Sequence, residues 1–361
     1  MNTLITFILA FVVLNIALTL ASFCTWFERK GSALIQNRVG ANRAGAFLKT
    51  DILVLKPFFW IIRCLGVLGV INTLMCDSAK GILKEDFLPE GTSQLMHCLG
   101  PILAVLPIFL AFALLPLGPE FEVAGMMIRP QVANLNVGVL FILAMGSITV
   151  YGIAIAGWSG NNKFSLLGAL RASAQIVSYE LALGVVFVTL VVHYSTVDLT
   201  AMVNSQRGIW WGVLTQPLSF VILLIVGMAE TKRGPFDLPE SESEIVAGYF
   251  TEYSGMKFLL FWLGEFAEIA LFAFILSLMF FGGWHLPFLD LPAGVWWAAL
   301  VGHVILMTKV LFFCMLQIVI RWTLPRFRFD HLMNLGWKLL LPLSIINLFV
   351  TAIFKVALMG A

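Results

Sequence analysis

Charge is what this sequence has least of. Asp, Glu, Lys and Arg make up 12% of its 361 residues, about half of the roughly 25% usual in a soluble domain. So few charges cannot cover a water-facing surface of this size. Cysteine is sparse and unpatterned. Cys24, Cys64, Cys76, Cys98 and Cys314 form no CxxC pair and have no His at metal-ligand spacing, so neither a disulfide framework nor a metal site is indicated. GxGxxG, GxxxxGK[ST] and HExxH are all absent, which leaves no nucleotide cradle and no zinc-peptidase signature. The basic stretches lack interleaved aromatics, so nucleic acid is not an expected partner. There is no internal repeat, no low-complexity run and no long polar block.

Apolar residues fill that space. They account for 60% of the chain, with a mean hydropathy of +0.96. Eight apolar runs are long enough to span a bilayer: about 3–27, 95–117, 134–157, 174–194, 210–229, 256–281, 295–320 and 337–358. A span needs about 20 apolar residues, and backbone groups in lipid must be satisfied within their own segment, which makes each run a helix. The expected fold is all-α and integral to the membrane, a single polytopic domain over 1–361. The first run lacks a basic leader and a small-residue cleavage site, so it is expected to be a retained helix rather than a signal peptide.

The basic residues set the orientation. Most fall between helices one and two (Arg29 to Lys84), three and four (Lys163, Arg171), five and six (Lys232, Arg233, Lys257), or seven and eight (Arg321, Arg326, Arg328, Lys338). The positive-inside rule then puts these loops in the cytoplasm and both termini on the periplasmic side of the inner membrane. Residues 53–76 form a ninth apolar stretch that carries Lys56, Pro57 and Arg63. A crossing there would move every later basic loop to the wrong side, so the stretch is expected to be interfacial or re-entrant. Glu120–Glu122 and Asp290 are expected in solvated turns on the opposite side.

Some charges stand where lipid penalises them, and such groups are functional candidates by default. Glu180 lies mid-helix in SAQIVSYELALGVVF. Glu265 and Glu268 share a face of helix six at i, i+3. Glu28 ends helix one, beside Arg29 and Lys30, and Glu230 ends helix five. The loop that follows adds Asp237, Glu240, Glu242, Glu244 and Glu252 against only Lys232 and Arg233. Carboxylates crowded against an apolar wall repel one another and lose hydration, which raises their pKa values and suits them to passing protons near neutral pH. A solvated surface loop is the plain alternative for that cluster. Lys309 is expected to snorkel or to pair with a carboxylate, while His193 and His303 fit packing or the interface better than a ligand role.

Five segments carry a family likeness: FERKGSALIQNRVGANRAG (27–45), KGILKED (80–86), GWSGNNKFSLLGALRASAQIVSYE (157–180), AETKRGPFDLPESESEIVAGYFTEYSGMKF (229–258) and RWTLPRFRFDHLMNLGWKLLLPL (321–343). In these, and over nearly its whole length, the chain resembles the quinone-tunnel membrane subunit of complex I, the proton-pumping NADH:quinone oxidoreductase. The resemblance implies that Glu28, Arg29 and Arg38 border the quinone tunnel, with Arg233, Asp237, Arg321 and Arg326. It implies a proton relay through Glu180, Glu230, Glu240, Glu242, Glu244 and Glu265; Glu268 joins that set on its position alone. The implied substrate is a quinone, ubiquinone or menaquinone. The implied partners are further membrane subunits and peripheral iron–sulfur subunits, which hold the flavin and the clusters.

Two departures stand out. Gly40-Ala41-Asn42-Arg43 occurs where the family usually shows Gly-Pro-Asn-Arg, and losing the proline frees that backbone. About twenty extra residues separate Gly45 from Asp77, which bears on the shape of the quinone entrance. Two other readings stay open at this level. One is the equivalent subunit of a related complex fed by ferredoxin, coenzyme F420 or a hydrogenase. The other is a cation/proton antiporter, which would be expected to show inverted repeats or paired broken helices.

Overall fold

The computed structural model describes residues 3–40, 77–123, 125–287, 292 and 294–359. The expectations for residues 53–76, for Ala41 and for Asp290 fall outside these. In chain order the elements are α1 (Thr3–Ile35), α2 (Asp77–Leu83), α3 (Gln94–Phe112), the strands β1 (Phe121–Val123) and β2 (Met126–Ile128), α4 (Gly138–Ser159) and α5 (Lys163–Tyr194). There follow α6 (Leu199–Ser205), α7 (Gly212–Thr215), α8 (Pro217–Glu230), α9 (Glu242–Ile245), α10 (Gly255–Phe280) and α11 (Trp296–Thr323). The chain ends with α12 (Phe329–Asn334), a π-helical turn (Leu335–Leu340) and α13 (Leu341–Met359).

Among the described residues, seven helices are long and apolar enough to cross a membrane, and the protein is an all-α, multi-pass membrane protein. Each of the eight expected runs coincides with helix, though three differ in detail. α1 continues two turns past the expected end at residue 27, so Glu28 lies within the helix and not at its tip. α5 begins at Lys163, eleven residues before the expected start. The fifth run is broken. α7 ends at Thr215, Gln216 leaves helical geometry, and Pro217 restarts α8 at its first position, where proline is tolerated because its missing N–H would be unpaired anyway. The fourteen residues of α8 rise about 21 Å at 1.5 Å each, short of a full bilayer core.

The turn at Glu120–Glu122 is more ordered than expected. Phe121–Val123 pairs antiparallel with Met126–Ile128, and Glu120 accepts Arg129 at 2.7 Å.

α10 is the axis of the bundle. Every residue from Gly264 to Phe280 is buried, as expected of a helix apolar on all sides. α1, α3, α8 and α11 pack around it, and α4 and α5 extend the layer from α3. Gly152 brings α4 so close to α3 that a methyl group there would overlap the Ala104 backbone, the small-residue contact typical of lipid-embedded helices. The loops rich in basic residues gather at one end of the bundle. Contacts there join Arg29 to Asp77, Lys257 to Asp86, Arg171 to Glu244 and Arg326 to Asp237.

Candidate functional site: a buried line of ion pairs

The segment after α8 is the centre of the site, and it is not a solvated surface loop. Thr231, Lys232, Arg233, Phe236 and Leu238 are all buried. Gln175 of α5 pins it, its Nε2 donating to the carbonyls of Ala229 at 2.7 Å and Phe236 at 2.9 Å. Arg326 holds it from the other side, through Asp237 at 2.8 Å and the Ser241 hydroxyl at 3.3 Å. Phe327 stacks on Phe236 with centroids 5.4 Å apart. Tyr249 ends the segment, and its hydroxyl donates to Glu265 Oε1 at 2.8 Å.

Two adjacent cations meet two carboxylates of α10. Lys232 Nζ lies 3.1 Å from Glu268 Oε2, and Arg233 Nη2 lies 3.0 Å from Glu265 Oε2. The match is geometric, because carboxylates at i, i+3 on a helix sit roughly 5–6 Å apart, close to the reach of neighbouring side chains in an irregular turn. Arg233 also approaches Glu28 Oε2 at 3.8 Å and lies over the Phe266 ring at 4.4 Å. Glu28 is paired with Arg321. Arg321, Glu28, Arg233, Glu265 and Tyr249 thus form one continuous polar line.

The line approaches a second group. Glu180, Glu230 and Glu268 line one cavity of about 30 Å³, walled otherwise by Thr149 and mainly apolar residues such as Pro107, Leu183 and Phe272. That is room for at least one water, since roughly 10–15 Å³ suffices. Glu180 accepts the hydroxyl of Ser147 on α4. Glu230 is 3% exposed, and its Oε2 has no hydrogen-bond partner among the described residues.

Outside the membrane helices the electrostatics follow burial. Loss of hydration raises the pKa of Asp237 although Arg326 opposes it, and Glu240 is pushed well above the carboxylate range by burial and then by Glu265. Burial works against the Lys232 ammonium, but Glu268 and Glu265 outweigh it and raise its pKa. Tyr249 is raised by burial and by Glu265.

The remaining expected site residues divide. Arg29 pairs with Asp77 and lies 5.2 Å over the Trp262 ring, at the edge of a cleft of about 260 Å³ between α1, α2 and α10 lined by Leu18, Ser22, Thr25, Asp77, Leu259 and Trp262. Arg233 and Asp237, both expected at the tunnel, take different partners, Glu265 and Arg326. Glu244 faces outward and pairs with Arg171. Glu242 opens α9, and its side chain lies outside the described residues. Arg38 is exposed, donates to Gln36 through its side chain, and among the described residues stands apart from the line.

Among the described residues Lys309 meets no carboxylate. It donates to the carbonyls of Phe281, Gly283 and His285 at 2.6–2.8 Å, just beyond the end of α10, where helix carbonyls lack internal partners. Sequence reasoning did not single out Gln175, Tyr249 or Ser147, nor Lys232 as more than a loop cation. Their partners lie 16 to 61 residues away, and local pattern carries no signal for them.

Helices that cross a membrane and bury a line of ion pairs in their interior define a class: polytopic proteins whose internal charges have work to do. The chain belongs to the NADH dehydrogenase family, whose model matches residues 7–352. It is 39% identical over 345 residues to an NADH-quinone oxidoreductase subunit of Cytophaga hutchinsonii, covering 95% of this chain and 94% of that protein. It is 42% identical over 340 residues to one of Geobacter metallireducens, covering 94% and 93%. NADH-quinone oxidoreductase subunit 8 of Rhodothermus marinus is 40% identical over 360 residues, covering 96% of each chain.

Proposed function

We propose that this chain is the membrane subunit that receives quinone in a proton-translocating NADH:quinone oxidoreductase, and that its buried carboxylates begin the relay coupling quinone reduction to proton movement. The observation that carries this reading is the line from Arg321 and Glu28 through Arg233 to Glu265, with the neighbouring Lys232–Glu268 pair beside it and the cavity that pair's Glu268 shares with Glu230 and Glu180. The names of the relatives support quinone as the substrate and a multi-subunit assembly as the setting.

The cleft beside Trp262 suits a ligand with an apolar tail. Leu18, Leu259 and Trp262 offer apolar contact, and Asp77, Ser22 and Thr25 add a few polar groups, the mixture expected of a small-molecule site. The quinone is ubiquinone or menaquinone. It takes up two electrons and two protons to become quinol. The electrons come from iron–sulfur clusters, and upstream from a flavin, held by peripheral partner subunits; further membrane subunits complete the pump. Charge appearing at the quinone during reduction changes the balance at Glu28 and Arg233. Glu265, which pairs with Arg233, its donor Tyr249, and the acidic residues Asp237, Glu240, Glu242 and Glu244 respond by shifting protons or position. Glu268, Glu230 and Glu180 carry the change into the membrane. Arg29, Arg38 and Arg326 shape the tunnel's charged end. That end faces the cytoplasm, with both termini on the periplasmic side of the inner membrane.

A photoreactive quinone analogue tests the site in the intact complex. Cross-links on α1 or α10 near Thr25 and Trp262, competed away by native quinone, are the expected result. Cross-links confined to other subunits would overturn it. Co-purification of peripheral iron–sulfur subunits from detergent extract tests the assembly.

A further inference from the structure

Three carboxylates and two cations are buried together where the end of α8 and the turn after it meet α10. Glu230, Glu265 and Glu268 are 3–5% exposed, and Lys232 and Arg233 are 4% and 7% exposed. Arg233 is committed, because Glu265, Glu28 and the Phe266 ring hold its planar guanidinium on several sides. Lys232 is not. It contacts Glu268, but Glu230 lies two residues away, lines the same cavity as Glu268, and has an unpartnered oxygen. A carboxylate buried this deeply is costly as an ion unless a cation pairs with it. With Arg233 taken, one ammonium serves two carboxylates, so the one without Lys232 keeps a proton.

The backbone adds a second observation. Lys232 has φ +54, in the left-handed region that a residue with a side chain rarely adopts. Such strain persists where the surroundings over-determine it and gathers at switching sites. The residue at this strained position has a flexible four-carbon stem and three rotatable donors, unlike the rigid fork of arginine.

We infer that Lys232 is a mobile counter-charge that serves Glu268 and Glu230 in turn, so that transfer of its ammonium from one carboxylate to the other drives a proton the opposite way. In one arrangement Lys232 pairs with Glu268 and the proton sits on Glu230. In the other, Lys232 pairs with Glu230 and the proton sits on Glu268. One O–H bond breaks and one forms, the ammonium keeps its protons, and the net charge of the cluster is constant. Glu265 with its partners Arg233 and Tyr249 lies beside the exchange, and Glu180 lines the same cavity as Glu230 and Glu268. The inference rests on the reading that this cluster relays protons, and it assigns Lys232 as the positioning residue that sets which carboxylate holds one.

Infrared spectra of the resting, purified complex test it, because protonated carboxylic acids have a carbonyl band that ionised ones lack. In Lys232→Met both carboxylates become neutral, so one additional acid band is expected, absent again in K232M/E268Q. In Glu268→Gln the freed Lys232 turns to Glu230, so an acid band present in the wild type is lost although the replaced residue was ionised. No added band in K232M, or a persisting Glu230 band in E268Q, overturns the inference; if K232M does not assemble, E268Q decides alone. A purely structural pair is replaced by apolar K232M/E268L without loss. The inference expects that variant to assemble with proton translocation largely lost, and a wild-type proton-to-electron ratio contradicts it. Failure of the quinone reading would appear separately, as no quinone-dependent electron transfer in the wild-type complex, and leaves the resting spectra decisive.

Discussion

Arg233 and Glu265 are joined across 32 residues of sequence by a buried ion pair, Nη2 to Oε2 at 3.0 Å. The second carboxylate oxygen accepts Tyr249, so Glu265 is bonded at both oxygens. Breaking a buried pair by removing one partner costs about 3–5 kcal/mol, because the other charge is left uncompensated. Arg233→Ala is expected to lower the stability of the complex by that amount and to abolish quinone reduction. Arg233→Lys keeps the charge but loses the fork and the contact with Phe266, and is expected to recover only part of the activity. Thermal unfolding and quinone-reductase assays check both, and full activity in R233A would refute the assignment.

Glu240 gives the acidic loop a pH dependence of known sign. Burial, then Glu265, raises its pKa well above the usual value. A carboxyl whose pKa is raised on folding stabilises the folded loop at acid pH, and that stability is lost as pH climbs through the raised value. Amide exchange across residues 236–250, corrected for intrinsic rates, is therefore expected to lose protection as pH rises well past the usual carboxylate range. Glu240→Gln should flatten that dependence, and an unchanged slope would show that another group governs the loop.

Gly248 locks the loop to α5. Its φ is +63, and an added methyl group would run into the Pro239 carbonyl; Gly168 meets the Gly248 backbone within 2.6 Å of where its own Cβ would lie. Gly248→Ala is expected to cost about 1–3 kcal/mol of local strain and to free Tyr249 from Glu265. The measurable result is a lower unfolding temperature together with faster amide exchange at 249–253. A variant with both unchanged would show the loop to be more adaptable than its packing.

The spans were legible because lipid demands long apolar runs, and the sequence has few other features to obscure them. The break at Gln216 and the early start of α5 were less so. Proline at the head of α8 satisfies both a helix start and a continuing apolar run. KFSLLGALRAS is only half apolar, and its helix is completed by packing and by Arg171 meeting Glu244. The acidic residues of the site were visible individually as charges in costly places. Which cation each would meet was not, because Lys232 and Arg233 look like ordinary loop cations until α10 is laid beside them. The burial of residues 231–238 likewise depends on Gln175 and Arg326, far away in sequence.

Glu180 offers the most direct test. It lies mid-helix, accepts Ser147, and shares its cavity with Glu230 and Glu268. Proton uptake per electron should be measured in proteoliposomes containing the complex with Glu180→Gln, a change that keeps shape and removes only the titrating proton. The relay account predicts an assembled complex with slowed quinone reduction and proton translocation largely lost. Wild-type rates of both in that variant would contradict it.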